Sequence, residues 1–346
     1  MKKIVLLGML AVFLFSCKND NKVTNVERAF YYWKSDGSIR GDAKESLDKS
    51  GVSKLYVKYF EVDYSETMGN YPYDKTSISQ YDAEYLDSLK IVPTIYIKNE
   101  IFQFNKEKDL DKLADNIVFL IDKYNKEKLQ KAIIENEIQI DCDWTKSTKD
   151  KYFYLLRKIK ELSKREISCT LRLYPYKYPD IMGVPPVDKA TLMCYNLIKP
   201  FTDKDKNSIL DIPELKSYLD KKRNYPIHLD VALPVYYWTQ LYHQNQFSGL
   251  IDLSTADIAS FTKPTKPMWY EVTKDTTWRY DQYYRIGDQI KCEEVSKETI
   301  HEAIAIIKKN VSLDATTTIA LFDLDYSTFN KYKDEEISGF YDSFTK

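Results

Sequence analysis

"IQIDCDWTK", residues Ile138–Lys146, is an apolar run interrupted by acids at alternate positions. Side chains alternate faces along a strand. Ile138, Ile140, Cys142 and Trp144 therefore share one face, and Gln139, Asp141, Asp143 and Thr145 share the other. If the apolar face packs on helices, the polar face points into a closed interior. Two carboxylates in such a place are costly unless they pair with cations or share a proton. The stretch thus predicts a barrel strand with its acids at one end, and it marks Asp141 and Asp143 as candidate catalytic residues.

The flanking sequence repeats the pattern. Strand-like runs occur at Glu27–Trp33, Ser53–Asp63, Ile91–Lys98, Ile167–Pro175, Ala190–Leu197, Ile227–Trp238 and Thr317–Asp325. Helical spacing separates several of them, as in Leu110–Tyr124 (Leu113, Ile117, Leu120, Ile121) and Lys149–Arg165, which ends in a basic turn. Eight strands alternating with helices predict a single-domain α/β fold, a (β/α)₈ TIM barrel over residues 27–346. Sites in such barrels lie at the C-terminal strand ends. These ends carry Trp33, Glu61, Asp63, Asp143, Arg172, Tyr195, Asn196, Tyr236, Trp238, Asp323 and Asp325. Carboxylates and amides suit sugar hydroxyls, and rings suit sugar faces, so a glycan or oligosaccharide is the expected partner. Arg172 is the expected charge partner of Asp141 or Asp143.

Composition excludes other classes. The formal net charge is −1, which leaves no electrostatic footprint for nucleic acid. With 9 glycines in the chain, neither a phosphate loop nor a dinucleotide fingerprint is present. Cys142, Cys169, Cys194 and Cys292 form no C-x-x-C pair and read as buried thiols, so no cofactor or zinc site is expected. Asp203, Asp205, Asn207, Asp211 and Glu214 have the spacing of a calcium loop. The competing reading makes Asp211 the cap of the next helix, with Pro213 in its first turn.

At the N-terminus a basic Lys2-Lys3 precedes the apolar Ile4–Phe13 and then Leu14-Phe15-Ser16-Cys17. This pattern predicts a secretory signal too short to span a membrane. It resembles a bacterial lipobox. The resemblance implies removal of the signal ahead of Cys17, acylation of that thiol, a polar tether over residues 18–26, and an outer-membrane lipoprotein of the cell envelope.

Three segments resemble the family 18 glycoside hydrolases, the chitinase and endo-N-acetylglucosaminidase barrels. Asp141-x-Asp143-Trp144-Thr145 resembles their D-x-D-x-E strand. Met193-Cys194-Tyr195-Asn196 resembles the sixth-strand M-x-Y-D, and Val231–Tyr236 resembles the seventh-strand G-L-P-F-Y. The family's chemistry is substrate-assisted: the sugar's acetamide attacks while a glutamate protonates the leaving oxygen. In this sequence Thr145 occupies that glutamate's position, Asn196 the sixth-strand aspartate's, and Ile138 that of the leading aspartate. The resemblance therefore implies a glycan-binding barrel, with or without hydrolysis. One alternative is a glycosidase with relocated acids, Asp143 working with Glu61, Asp63, Asp323 or Asp325. Another is a non-enzymatic scaffold lipoprotein in an envelope complex, its acids holding the barrel together. The loop Tyr174–Pro186 reads as a sugar platform or as a proline-stiffened loop, and Thr239–Glu294 as a long connection at the rim.

Overall fold

The computed structural model describes residues 22–35, 41–79, 83, 86–130, 132–278 and 282–346. The predicted signal segment, with Cys17 and most of the tether, lies outside the described residues. Among the described residues, no helix is long and apolar enough to cross a membrane.

Eight strands build the barrel: β1 (Asn25–Tyr32), β2 (Lys54–Ser65), β3 (Lys90–Ile97), β4 (Glu137–Asp141), β5 (Glu166–Arg172), β6 (Lys189–Met193), β7 (His228–Pro234) and β8 (Thr316–Phe322). Each is parallel to its barrel neighbours, and the far end of β2 also pairs antiparallel with Gly69–Tyr73. β8 pairs in turn with β1, Asn25 opposite Thr316 and Phe30 opposite Leu321, so the sheet closes. The predicted (β/α)₈ barrel is the observed fold.

The outer faces of the strands pack on amphipathic helices. Glu107–Lys128 buries Leu110, Leu113, Ala114, Ile117 and Ile121, and Lys149–Ser163 buries Tyr152, Leu155, Leu156 and Ile159. Fully burying each large aliphatic side chain contributes about 1.5–3 kcal/mol. Trp144 is buried and stacks on Tyr152 with centroids 5.3 Å apart, the helix-facing side of the opening stretch.

The barrel interior is polar and layered. At the bottom, Lys189 Nζ lies 2.7 Å from Glu137, which also accepts a 2.6 Å hydrogen bond from the Ser168 hydroxyl. Lys54 pairs with Glu27 in the same layer. One step up, Gln139 accepts from the Tyr31 hydroxyl at 2.8 Å and donates to Thr191 at 3.1 Å. Asp141 forms the next layer, so the inward parity of residues 137, 139 and 141 is as the alternation requires.

Several boundaries differ from those predicted. β4 stops at Asp141. Thr145 falls in the turn before the next helix, where its backbone N–H donates to the Thr148 hydroxyl at 2.9 Å. The local turn chemistry of Thr145, Ser147 and Thr148 overrides strand propensity there. β5 ends at Arg172 and leads into a short helix, Leu173–Lys177. β7 ends at Pro234, and Trp238 opens a strand of another sheet.

That sheet is the larger correction. The segment read as a connection folds into five antiparallel strands, in the order Gln246–Ile251, Trp238–His243, Gln289–Glu293, Trp269–Val272 and Thr262–Lys266. It has its own apolar cluster, which includes Leu241, Ile258, Phe261, Val272 and Ile290. The insert is pinned to the loop after β6. Glu293, fully buried, accepts from the Ser208 N–H and hydroxyl at 2.5 Å each, from Gln240 at 2.9 Å, and from Lys291 at 2.7 Å. Trp269 Nε1 donates to the Lys204 carbonyl at 2.9 Å across the same junction.

Candidate functional site

The C-terminal ends of the barrel strands enclose a cavity of about 200 Å³. Its aromatic wall comes from β1, β6 and β8. Tyr195 stacks on Phe322 at 5.1 Å, and Tyr31 and Trp33 approach the same ring at 5.7 and 5.8 Å. Its charged wall comes from β2, β4 and β5, with Glu61, Asp141, Asp143 and Arg172; Asn196 completes the rim.

Two acids of the opening stretch behave differently. Asp143 is held by Arg172 in a two-pronged pair, Nε to Oδ1 at 2.5 Å and Nη2 to Oδ2 at 2.7 Å. This fork geometry fixes both planes. Asp141 sits deeper and accepts from the Thr170 hydroxyl at 2.5 Å. Burial, with the adjacent Asp143 charge added, pushes the Asp141 carboxyl up to about 7, against the pull of Thr170 and Arg172. It therefore carries a proton over much of the neutral range and can donate as well as accept a hydrogen bond. Glu61 is held by the buried Lys58 at 2.7 Å, and Lys58 also reaches Asp74 at 2.5 Å.

Of the predicted site residues, Trp33, Glu61, Asp141, Asp143, Arg172, Tyr195 and Asn196 meet in this cavity. Tyr236 stands behind it: its hydroxyl donates to Asn196 Oδ1 at 2.5 Å and its ring meets Tyr195 and Phe322 edge-on. Trp238 does not reach the cavity. It packs on Phe201 at 6.2 Å in the inserted sheet, because β7 ends before it. Asp323 is also off the lining. Inward parity on β8 passes through Thr318, Ala320 and Phe322, and the peptide after Phe322 is cis. Burial pushes the Asp323 carboxyl up to about 6, with the Asp325 charge adding to the rise. Asp63 is taken by Lys98 at 2.5 Å and Asp325 by Lys34. Phe322, Tyr31 and Tyr96 line the cavity without having been predicted. The alternation that placed Asp141 inward, applied to β1 and β8, would have found the first two.

Several of the residues spaced like a calcium loop have protein partners in the structure. Asp211 accepts from the Glu214 N–H at 2.8 Å as a helix cap, Asn207 Oδ1 accepts from the Ile209 N–H at 3.0 Å, and Asp205 pairs with Lys266 at 2.5 Å. Among the described residues, no cluster of acids, histidines and cysteines could hold a metal ion. Calcium should accordingly leave the thermal midpoint unchanged, whereas Asp211→Ala should cost about 1 kcal/mol in a denaturant titration. A midpoint raised by calcium would restore the loop reading.

No family model matches the chain, and no curated protein matches it. Solved structures do. The spore cortex-lytic enzyme SleL of Bacillus megaterium is similar over 92% of this chain and 75% of its own, at 15% identity and TM-score 0.55. A Group IV chitinase of Ostrinia furnacalis covers 93% and 100% at 10% identity and TM-score 0.53. A chitinase of Bacteroides thetaiotaomicron covers 92% and 96% at 12% identity and TM-score 0.52. What the chain shares with these structures is the fold, a (β/α)₈ barrel. In this barrel the stretch Asp141–Thr145 keeps both aspartates at the mouth. Thr145 lies outside the cavity, its hydroxyl 3.0 Å from that of Ser147 and 3.1 Å from that of Thr148. The residue at the position that the sequence resemblance gives to a glutamate is thus engaged in a turn.

Proposed function

We propose that the protein binds a glycan at the mouth of the barrel without cutting it by the family 18 route. The observation that carries this reading is the pairing of Asp143 with Arg172 beside a threonine where the family's acid would stand. A threonine hydroxyl cannot protonate a leaving oxygen at neutral pH, and the paired Asp143 is held as an acceptor. What remains is a binding surface: rings for the sugar faces, and Asp141, Glu61 and Asn196 for hydroxyls or an acetamide. The similarity of the fold to chitinases supports an N-acetylhexosamine polymer as the first ligand to test. In the same reading the chain is an envelope lipoprotein, tethered to the outer membrane through acylated Cys17. A Cys17→Ser variant should then leave the membrane fraction, and retention of that variant there would remove the anchor.

The test is calorimetric titration with soluble N-acetylglucosamine oligomers, alongside an assay for new reducing ends. Binding without new ends is expected. Trp33→Ala should weaken binding about tenfold, near the 1.4 kcal/mol that a decade of affinity represents. No heat with any oligomer would remove the glycan reading. A second reading rests on Asp141, whose carboxyl is pushed up to about 7 and which shares the cavity with Glu61. A proton held near neutrality is what a general acid needs. If wild type releases reducing ends and Asp141→Asn does not, hydrolysis with a relocated acid replaces binding.

A further inference from the structure

Beside the mouth lies a second and larger hollow, of about 530 Å³, that shares Asp143 and Arg172 with it. The ion pair is therefore a partition with the aromatic and acidic cavity on one side and this hollow on the other. The chemistry of the two sides differs. The second hollow is walled by Trp144, Tyr174, Pro175, Ile181 and Met182, with Thr145 at its edge. Tyr174 is 46% exposed and Ile181 42% exposed, so an apolar surface stands open to water next to a polar site.

The hydrogen-bonding groups of the hollow are largely engaged already. Trp144 Nε1 donates to the Met182 carbonyl at 3.2 Å. The Thr145 hydroxyl is bonded within its own turn. Asp143 and Arg172 satisfy one another, and Arg172 Nη1 also reaches the Asn196 carbonyl at 3.3 Å. The remaining polar groups, the Tyr174 hydroxyl and the Lys146 ammonium, belong to solvent-exposed side chains. A sugar ring placed here would lose hydrogen bonds to water at several hydroxyls and recover few, which is unfavourable. An alkyl or aryl group would lose none and would cover exposed apolar surface.

The wall is also built to hold its shape. Gly183, at φ +76°, ends the short helix Pro179–Met182, and a Cβ there would meet Phe153 at 2.8 Å. The backbone thus comes close enough to the helix Lys149–Ser163 to fix Ile181 and Met182 against it. An apolar group entering the hollow would meet a preformed surface, which keeps the cost of ordering small.

We propose that the ligand is an amphiphile: a glycoside whose sugar occupies the mouth and whose apolar substituent crosses the Asp143–Arg172 partition into this hollow. The inference rests on the glycan reading of the mouth and adds the class of substituent. Continuity of the two hollows through shared residues commits the occupant to a group attached to the sugar. An unrelated hydrophobe would have no link to the mouth.

The experiment titrates the protein with an N-acetylglucosamine dimer and with the hexyl glycoside of the same dimer, below any micelle concentration. The hexyl compound should bind at least tenfold more tightly. Ile181→Asp should abolish that gain and leave the free dimer's affinity unchanged, since Ile181 does not line the mouth. Tyr174→Ala should reduce the gain in the same way, and circular dichroism of both variants checks that they fold. Equal affinities of the two ligands for wild type, or a hexyl gain that survives Ile181→Asp, would overturn the proposal while leaving the glycan reading intact. If neither ligand binds, the mouth reading falls and this inference falls with it.

Discussion

Glu293→Ala should cost about 3–5 kcal/mol of stability, the loss expected when one partner of a buried ion pair is removed. Glu293 is fully buried and Lys291 is 2% exposed, so truncation leaves an ammonium with only the Lys206 carbonyl, at 2.9 Å, to replace a carboxylate. The Ser208 N–H and hydroxyl and the Gln240 amide lose their acceptor in the same step. Burial alone would raise the Glu293 carboxyl, but Lys291 and the Ser208 donors outweigh it and hold it below the ordinary range. The carboxylate is therefore the form the junction is built around. Denaturant unfolding followed by tryptophan fluorescence measures the loss, since Trp269 lies at the same junction. Replacing both partners with apolar residues, Glu293→Leu with Lys291→Met, should recover much of it, because neither side is then left charged and unpaired. A single variant as stable as wild type would mean that the insert does not depend on this contact.

The second large effect concerns pH. Asp141 is pushed up to about 7 in the folded protein, whereas an unfolded aspartate titrates near 3.9. Between about pH 4 and pH 7 the folded state thus holds a proton that the unfolded state has released. Stability must then fall as pH rises through that window. Each unit of displacement corresponds to about 1.4 kcal/mol. Partial exposure at the mouth reduces the sum to on the order of 2 kcal/mol. Asp323, pushed up to about 6, acts in the same direction, so the comparison must isolate Asp141. Asp141→Asn keeps the shape and the hydrogen-bonding capacity without the charge. Unfolding free energies at pH 5 and pH 8 should diverge by on the order of 2 kcal/mol more for wild type than for the variant. Equal pH dependence in the two proteins would place Asp141 in ordinary solvent contact.

The barrel was legible because its signal is repeated. Eight apolar runs separated by helical spacing leave few other arrangements, and the alternation in Ile138–Lys146 stated which side of β4 faces inward. Parity on β4 pointed Asp141 inward, and the rule that sites sit at C-terminal strand ends named Trp33, Arg172 and Tyr195; all four line the cavity at the mouth. What failed lay where strands end. Thr145 was read as strand because nothing in an apolar–polar alternation announces that Thr145, Ser147 and Thr148 will satisfy one another in a turn. The apolar run carries β7 on to Trp238 in the sequence, yet Pro234 ends that strand and the chain turns into the insert. The insert itself has strands of four to six residues, crossed by Pro264 and Gly249, and exposed on much of one side. Such strands carry too little periodicity to stand out from a loop. The apolar hollow was hidden for another reason: Tyr174, Ile181 and Met182 become one surface only because two short helices meet at Tyr178 and Gly183 lets the second lie close against Phe153 of the long helix.

Closure of the barrel through Asn25 and Thr316 has a consequence for how the molecule comes into being. The pairing joins positions almost 300 residues apart, so the loop-closure entropy of the whole chain is spent on this one seam. β1 and β7 each wait with an unsatisfied ladder until β8 arrives, and such open edges recruit other strands. The inserted sheet closes over much shorter separations, its widest pairing being Trp238 with Glu293, and can form earlier. A newly emerging chain therefore passes through an interval with a finished appendage and an unfinished cylinder. During that interval it is most exposed to aggregation and most dependent on chaperones. Truncation before Thr316 would make that interval permanent.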